Sequence, residues 1–173
     1  SPESPESTES TESIESPESP ESPPVREARD AGVVTLTLDS PHNRNALSSA
    51  LVAGVLDGVR RAGVDPDVRA VVLTHTGGTF CAGADLTEAG ADPATRTAQM
   101  VELLRAVVEA PVPVIGLIDG HVRAGGMGLI AACDVVIAGP RSTFALTEAR
   151  LGLAPSIISL TVLPRLTSRA ASR

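Results

Sequence analysis

Three short stretches of the chain carry residue types suited to work on a carbonyl group. One is Gly120-His121-Val122-Arg123-Ala124-Gly125-Gly126-Met127-Gly128-Leu129, which follows the apolar run of residues 112–118 and leads into the small-residue segment 130–133. A strand that ends in glycines and feeds a helix leaves backbone N–H groups without internal partners. Such donors suit a carbonyl oxygen that becomes anionic during reaction. A second candidate, Thr79-Phe80-Cys81-Ala82-Gly83-Ala84-Asp85-Leu86, follows the strand-like Val71-Val72-Leu73-Thr74. Two such turns after two strands imply a two-donor oxyanion hole. The third stretch supplies Glu148, after the strand-like Phe144-Ala145-Leu146-Thr147 and before Ala149-Arg150-Leu151-Gly152. A carboxyl among apolar neighbours at a strand end is partly desolvated, which readies it for proton transfer. An ion pair with Arg150 or Arg141 is the competing reading, and the residues alone leave both open.

These groups need a scaffold. Residues 33–38 alternate, with Val34, Leu36 and Leu38 on one face and Thr35 and Thr37 on the other, which is a strand pattern. Asn45 or Ser48 caps a helix whose apolar positions are Leu51, Val52, Val55, Leu56 and Val59, and Asp65-Pro66-Asp67 ends it. Residues 71–74 form a short buried strand. Residues 95–110 read as a helix with Met100, Leu103, Leu104, Val107 and Val108 inward, and Pro111 and Pro113 bracket a strand over 114–118. Strands alternating with helices give an α/β domain with mostly parallel pairing.

The chain of 173 residues is long enough for one domain with a substantial core. Its net charge of -7 comes from the N-terminal segment, where Glu3, Glu6, Glu9, Glu12, Glu15, Glu18 and Glu21 recur in a three-residue repeat. The other 14 acidic residues match 14 basic ones, all Arg, so nothing points to nucleic acid or an acidic membrane surface. Residues 1–24, rich in Ser, Pro and Glu, bury too little apolar surface to offset the entropy of ordering and read as a disordered tail ahead of a folded unit over 25–173. Cys81 and Cys133 lack metal-ligand spacing and read as buried free thiols in a reducing compartment. His42, His75 and His121 show no metal-ligand spacing either, and no apolar run is long enough for a membrane helix. A cytoplasmic location is the expectation.

Taken in order and spacing, Phe80-Cys81-Ala82-Gly83-Ala84-Asp85-Leu86, then Ile118-Asp119-Gly120 with Ala124-Gly125-Gly126, then Ala132-Cys133-Asp134-Val135-Val136-Ile137-Ala138, and last Phe144-Ala145-Leu146-Thr147-Glu148-Ala149-Arg150-Leu151-Gly152-Leu153-Ala154-Pro155 resemble the enoyl-CoA hydratase/isomerase (crotonase) family. The resemblance implies a spiral of repeated ββα units with the active site between its turns. It places the oxyanion donors at the backbone amides of Ala84 and Gly125 and the general acid/base at Glu148. It sets coenzyme A beside Ala82, Asp85 and Leu86, beside the turn Arg44-Asn45-Ala46, and near Gly126. His121 and Arg123 fall near the implied pocket. The substrate implied is an acyl-CoA thioester in fatty acid metabolism, coenzyme A being part of it, with no separate cofactor and no metal. The expected reaction is enoyl-CoA hydration. The alternatives are isomerisation, dehalogenation or thioester hydrolysis, or acyl-CoA binding without catalysis.

Two departures stand out. Gly128 occupies the position where many hydratases of the family carry a second glutamate. The match also stops near Arg165, so the family's C-terminal helical region, which closes the acyl pocket and builds a trimer or a dimer of trimers, is expected to be missing. The apolar residues between 151 and 166 are then expected to be uncovered.

Overall fold

The computed structural model describes residues 22–172 apart from 89 and 91. The expectation for the Ser-Pro-Glu repeat therefore lies outside the described residues as far as 21. Pro24 is already tied in, its carbonyl accepting from Asp39 N at 2.8 Å.

Among the described residues, eight strands form two sheets. β1 (Val25–Asp30) and β2 (Val33–Leu38) make a hairpin, and β1 was not foreseen because its side chains are almost all exposed and polar. β2 then pairs parallel with β3 (Ala70–His75), β3 with β5 (Val114–Ile118), and β5 with β7 (Val135–Ala138), giving the order β1-β2-β3-β5-β7. The second sheet is all parallel, in the order β4 (Thr79–Cys81), β6 (His121–Arg123), β8 (Thr143–Ala145). After the β1–β2 hairpin, each turn of the chain gives one strand to the larger sheet and the next to the smaller, then helical structure. This is the expected crotonase-like spiral of ββα units. The three-residue strands of the second sheet are too short to show an alternating pattern, so only the larger sheet was readable from periodicity.

Helix α1 (Ser49–Val64) starts where Ser48 Oγ accepts from Leu51 N at 3.2 Å. Of the two candidate caps, Ser48 is the one used, and Asn45 is turned into the protein instead. Leu51, Val52, Val55, Leu56, Val59 and Ala62 are buried at helical spacing, and the helix stops at Asp65 in extended conformation. Helix α2 (Pro93–Val108) has Asp92 as its cap, accepting from Thr95 N at 3.0 Å, with Pro93 in the first turn. Leu103, Leu104 and Val107 are buried. Val108 was expected inward but is 59% exposed, as the last residue of the helix. Met100 is half-buried and faces a cavity. Helix α3 (Gly125–Ala132), α4 (Ser156–Val162) and the short α5 (Ser168–Ala171) complete the fold.

The core gathers Leu36, Leu38, Leu51, Leu73, Phe80, Leu103, Ile118 and Leu129 between the sheets and helices. Cys81 and Cys133 are free and buried, and burial pushes both thiols up to about 12. No described helix is long and apolar enough to cross a membrane.

Candidate active site

The smaller sheet explains how three separated stretches meet. β4, β6 and β8 lie side by side and parallel, so their C-terminal ends open on the same edge. Ala84 follows the end of β4, Gly125 follows the end of β6, and Glu148 follows the end of β8. Loops at the carboxyl ends of parallel strands are the usual place for a ligand.

Ala84, Gly125 and Glu148 line one cavity of about 590 Å³, within the range of small-molecule sites. Its walls are mostly apolar: Leu47, Val52, Leu86, Met100, Leu153, Ile157 and Ile158. α2 contributes Pro93, Arg96, Thr97 and Met100, one helical face at i, i+3, i+4 and i+7.

The two amides are aimed by the carbonyls that precede them. In a trans peptide the C=O and the following N–H point in opposite directions. The Gly83 carbonyl accepts from Leu47 N at 2.8 Å, on the side where Leu47 and Ala84 form a parallel bridge, so the Ala84 amide points away from Leu47 N. The Ala124 carbonyl accepts from Met127 N at 2.8 Å, which fixes the Gly125 amide in the opposite sense. Among the described residues neither amide donates to a backbone carbonyl. Gly125 opens α3, where the helix dipole favours negative charge.

This junction tolerates little bulk. Gly83 has φ +95°, and a Cβ there would lie 2.7 Å from Ala124 Cβ and 3.4 Å from Gly125 N. Ala124 itself has φ +46° and ψ -119°, a conformation that costs a non-glycine residue about 1–3 kcal/mol. It is held by its own N–H, which donates to Ala145 O at 3.1 Å and so ties the end of β6 to the end of β8.

Glu148 sits in a 3-10 turn, Thr147–Leu151, not at a strand end, since β8 stops at Ala145. Gly152 closes the turn in left-handed conformation, donating to the Ala149 and Glu148 carbonyls. Glu148 Oε2 is buried and has no hydrogen-bond partner among the described residues. The competing ion pairs are not formed among those residues: Arg141 binds Asp119 at 2.6 Å, and no salt bridge joins Glu148 to Arg150. A buried carboxylate oxygen left without a partner is costly, so its setting calls for a functional account.

Of the residues expected to contact coenzyme A, Ala82 and Leu86 line the cavity, whereas Arg44, Ala46, Asp85 and Gly126 lie outside its lining. Arg44 is exposed, in left-handed conformation, and its carbonyl accepts from Ala82 N at 3.1 Å. Ala46 is buried. Asp85 is buried and turned into its own loop, accepting from Thr87 Oγ1 at 2.7 Å, Thr87 N at 2.9 Å and Asn43 Nδ2 at 3.2 Å. The Thr87 hydroxyl, then the Thr87 amide, hold its carboxyl below the ordinary value. Gly126 packs on Cys81, where a Cβ would come within 2.8 Å of Cys81 Cβ. His121 and Arg123 are tied to Thr143 across the small sheet, with Nδ1 2.7 Å and Nη2 2.8 Å from Thr143 Oγ1. Two charged residues on the cavity were not anticipated. Arg96 donates to the Glu88 and Asp85 carbonyls, and Glu88 accepts from Ser49 N and Oγ at the start of α1. Neither belongs to a glycine-rich motif, and their contacts span loops that sequence spacing does not join.

Residues 28–173 match the enoyl-CoA hydratase/isomerase family. The chain belongs to that family. A crystal structure of an enoyl-CoA hydratase from Mycobacterium avium paratuberculosis, itself described as putative, is 61% identical with a TM-score of 0.81, covering 86% of this chain and 61% of that one. A probable enoyl-CoA hydratase of Mycobacterium bovis is 39% identical over 122 residues, 70% of this chain and 49% of that protein. The 1,2-epoxyphenylacetyl-CoA isomerase of Escherichia coli is 32% identical over 149 residues, 82% of this chain and 57% of that protein. The chain thus spans about half the length of the curated relatives it matches.

Within this family member, Gly128 is a packing position. A Cβ there would lie 2.7 Å from Ile158 Cγ2 and 3.3 Å from Ile158 Cα, and Thr161 Oγ1 donates to the Gly128 carbonyl at 2.9 Å. α4 crosses α3 so closely that a glutamate at 128 would displace it.

Proposed function

We propose that the site is an acyl-CoA enolate site with one carboxylate, and that its reaction is hydration of a 2,3-enoyl-CoA. The observation that carries this reading is the buried Oε2 of Glu148, without a hydrogen-bond partner among the described residues, on the same cavity as the Ala84 and Gly125 amides. The thioester oxygen accepts from the two amides. Glu148 takes a proton from water, the hydroxide adds at C3, and the C2=C3 electron pair moves into the carbonyl to give the enolate. The enolate collapses and C2 takes the proton back from Glu148. Water is added, the carboxylate is regenerated, and no redox change occurs. Preorganised amides strengthen as the oxygen gains charge, and removing one such donor typically costs ~3 kcal/mol of transition-state stabilisation. Coenzyme A is part of the substrate and no separate cofactor enters the scheme.

Isomerisation is the second reading, favoured by the close Gly128–Ile158 packing. Moving a proton between two carbons needs the same enolate and one base, but no bound water. Product analysis separates the two. Hydration converts crotonyl-CoA to 3-hydroxybutyryl-CoA, whereas isomerisation interconverts 3-enoyl- and 2-enoyl-CoA without adding mass. Formation of the hydroxyacyl product supports the first reading, and isomerisation of a 3-enoyl-CoA with no hydration of crotonyl-CoA rejects it.

A further inference from the structure

Asn45 is polar and wholly buried, yet it neither caps α1 nor lines the cavity. It follows Arg44, and the two have φ +52° and +59°, a left-handed pair in which asparagine is better tolerated than most residues. Its carboxamide is used at both ends. Oδ1 accepts from Ser40 N at 2.7 Å, and Nδ2 donates to Thr79 O at 2.8 Å and Thr76 O at 3.1 Å. The side chain thus ties the loop before α1 to the turn between β3 and β4.

That loop grips the donor segment from both sides of Asn45. The Arg44 carbonyl accepts from Ala82 N at 3.1 Å, and Leu47 N donates to the Gly83 carbonyl at 2.8 Å. The second bond sets the Gly83–Ala84 peptide plane and therefore the direction of the Ala84 N–H. We propose that Asn45 is a positioning residue that orients the Ala84 amide toward the thioester oxygen, by fixing the loop whose Leu47 N–H holds the Gly83 carbonyl. The proposal rests on the oxyanion reading of Ala84. Asn45 touches no reacting atom in this scheme, and its effect falls on stabilisation of the enolate more than on binding of the ground-state thioester.

The test uses two ligands, butyryl-CoA as a ground-state thioester and acetoacetyl-CoA as a thioester that enolises readily. Asn45→Asp keeps the size and the acceptor for Ser40 N but removes both Nδ2 donors. Asn45→Gly suits the left-handed backbone and removes the whole clamp. Val59→Ala, in the core of α1, controls for lost stability. Dissociation constants are measured for each protein that retains its native circular dichroism. The unaltered chain is expected to prefer acetoacetyl-CoA. The Asn45 variants are expected to lose that preference by about tenfold or more, with butyryl-CoA affinity held within about threefold, because small displacements of a catalytic group have large effects on the charged state. Val59→Ala should keep the preference. A folded Asn45 variant that keeps it overturns the positioning role while leaving the oxyanion site intact. If both Asn45 variants fail to fold while Val59→Ala folds, Asn45 serves stability alone and the proposal falls. Absence of any preference in the unaltered chain overturns the oxyanion reading and this inference with it.

Discussion

The two sides of the cavity are built differently. The donor side comes from β4 and β6, where Phe80, Cys81 and Val122 are all 0% exposed. The side bearing Glu148 hangs from β8, which shares the edges of the small sheet with β4 but leaves Phe144 45% exposed. Beside it in the larger sheet, the edge strand β7 leaves Val135 and Ile137 51% and 53% exposed, and Leu153, Leu160, Leu163 and Leu166 are exposed on the segment that follows Glu148. The two amides are therefore set by the same packing that makes the fold stable, whereas Glu148 rests on a short turn. Changes to the donor side should couple function to stability, and changes on the Glu148 side should separate them.

The two phenylalanines of the chain put that contrast to its largest test. Phe80 is fully buried and meets His75 edge-on, with ring centroids 5.6 Å apart. Phe80→Ala is expected to destabilise by about 4 kcal/mol, through lost burial and the cavity left behind. Phe144→Ala, on the exposed edge, is expected to cost about 1 kcal/mol or less. Urea unfolding of both variants measures the difference, and equal losses would break the comparison. Gly125→Pro isolates the donor itself. Gly125 is the first residue of α3, a position where proline is tolerated, and the nearest obstacles to a side chain are Leu47 Cδ1 at 2.8 Å and Met100 Cε at 3.0 Å, both flexible side-chain ends. In protein that retains its fold, hydration should fall about 10²–10³-fold through loss of one N–H. Near-normal turnover in a folded protein would remove Gly125 from the mechanism.

The smallest expected effect is on pH dependence. The Asp85 carboxyl is held below its ordinary value chiefly by the Thr87 hydroxyl. A depressed folded value adds stability above the unfolded carboxylate value near pH ~4, and that stability is lost as pH falls through the lower folded value. Asp85→Asn should therefore lower the melting temperature at neutral pH and flatten its decline on the acid side of pH ~4. Parallel melting curves for both proteins at every pH would show that Asp85 adds nothing through its charge.

Much of the larger sheet was legible because its signals are local. The alternation of Val34, Leu36 and Leu38 marks β2, the paired prolines at 111 and 113 bracket β5, and the Leu51–Val59 spacing marks α1. The glycine-bearing turns and Glu148 were legible as parts of one place in the fold, since Ala84, Gly125 and Glu148 line one cavity. Of the small sheet only β8 was touched, by the strand-like stretch that begins at Phe144; β4 and β6 were not read as strands, because three residues carry no period. Asn45 was read as a candidate cap because its partners Thr76 and Thr79 are more than thirty residues away, at separations of 31 and 34. The packing of Gly128 under Ile158 was hidden for the same reason, and the sequence showed only that a carboxylate was missing there.

The central claim is that Glu148 moves the proton and that its buried oxygen is kept for that purpose. Glu148→Gln keeps the shape and removes the base. Hydration of crotonyl-CoA by the unaltered chain and the variant, measured with their melting temperatures, tests this most directly. The account predicts a rate lower by about 10²–10⁴-fold, as expected for loss of general acid–base catalysis. It also predicts a melting temperature no lower than that of the unaltered protein, because a neutral amide replaces a buried carboxylate oxygen that has no partner among the described residues. A variant that hydrates at the full rate, or that loses its activity only by unfolding, would contradict it.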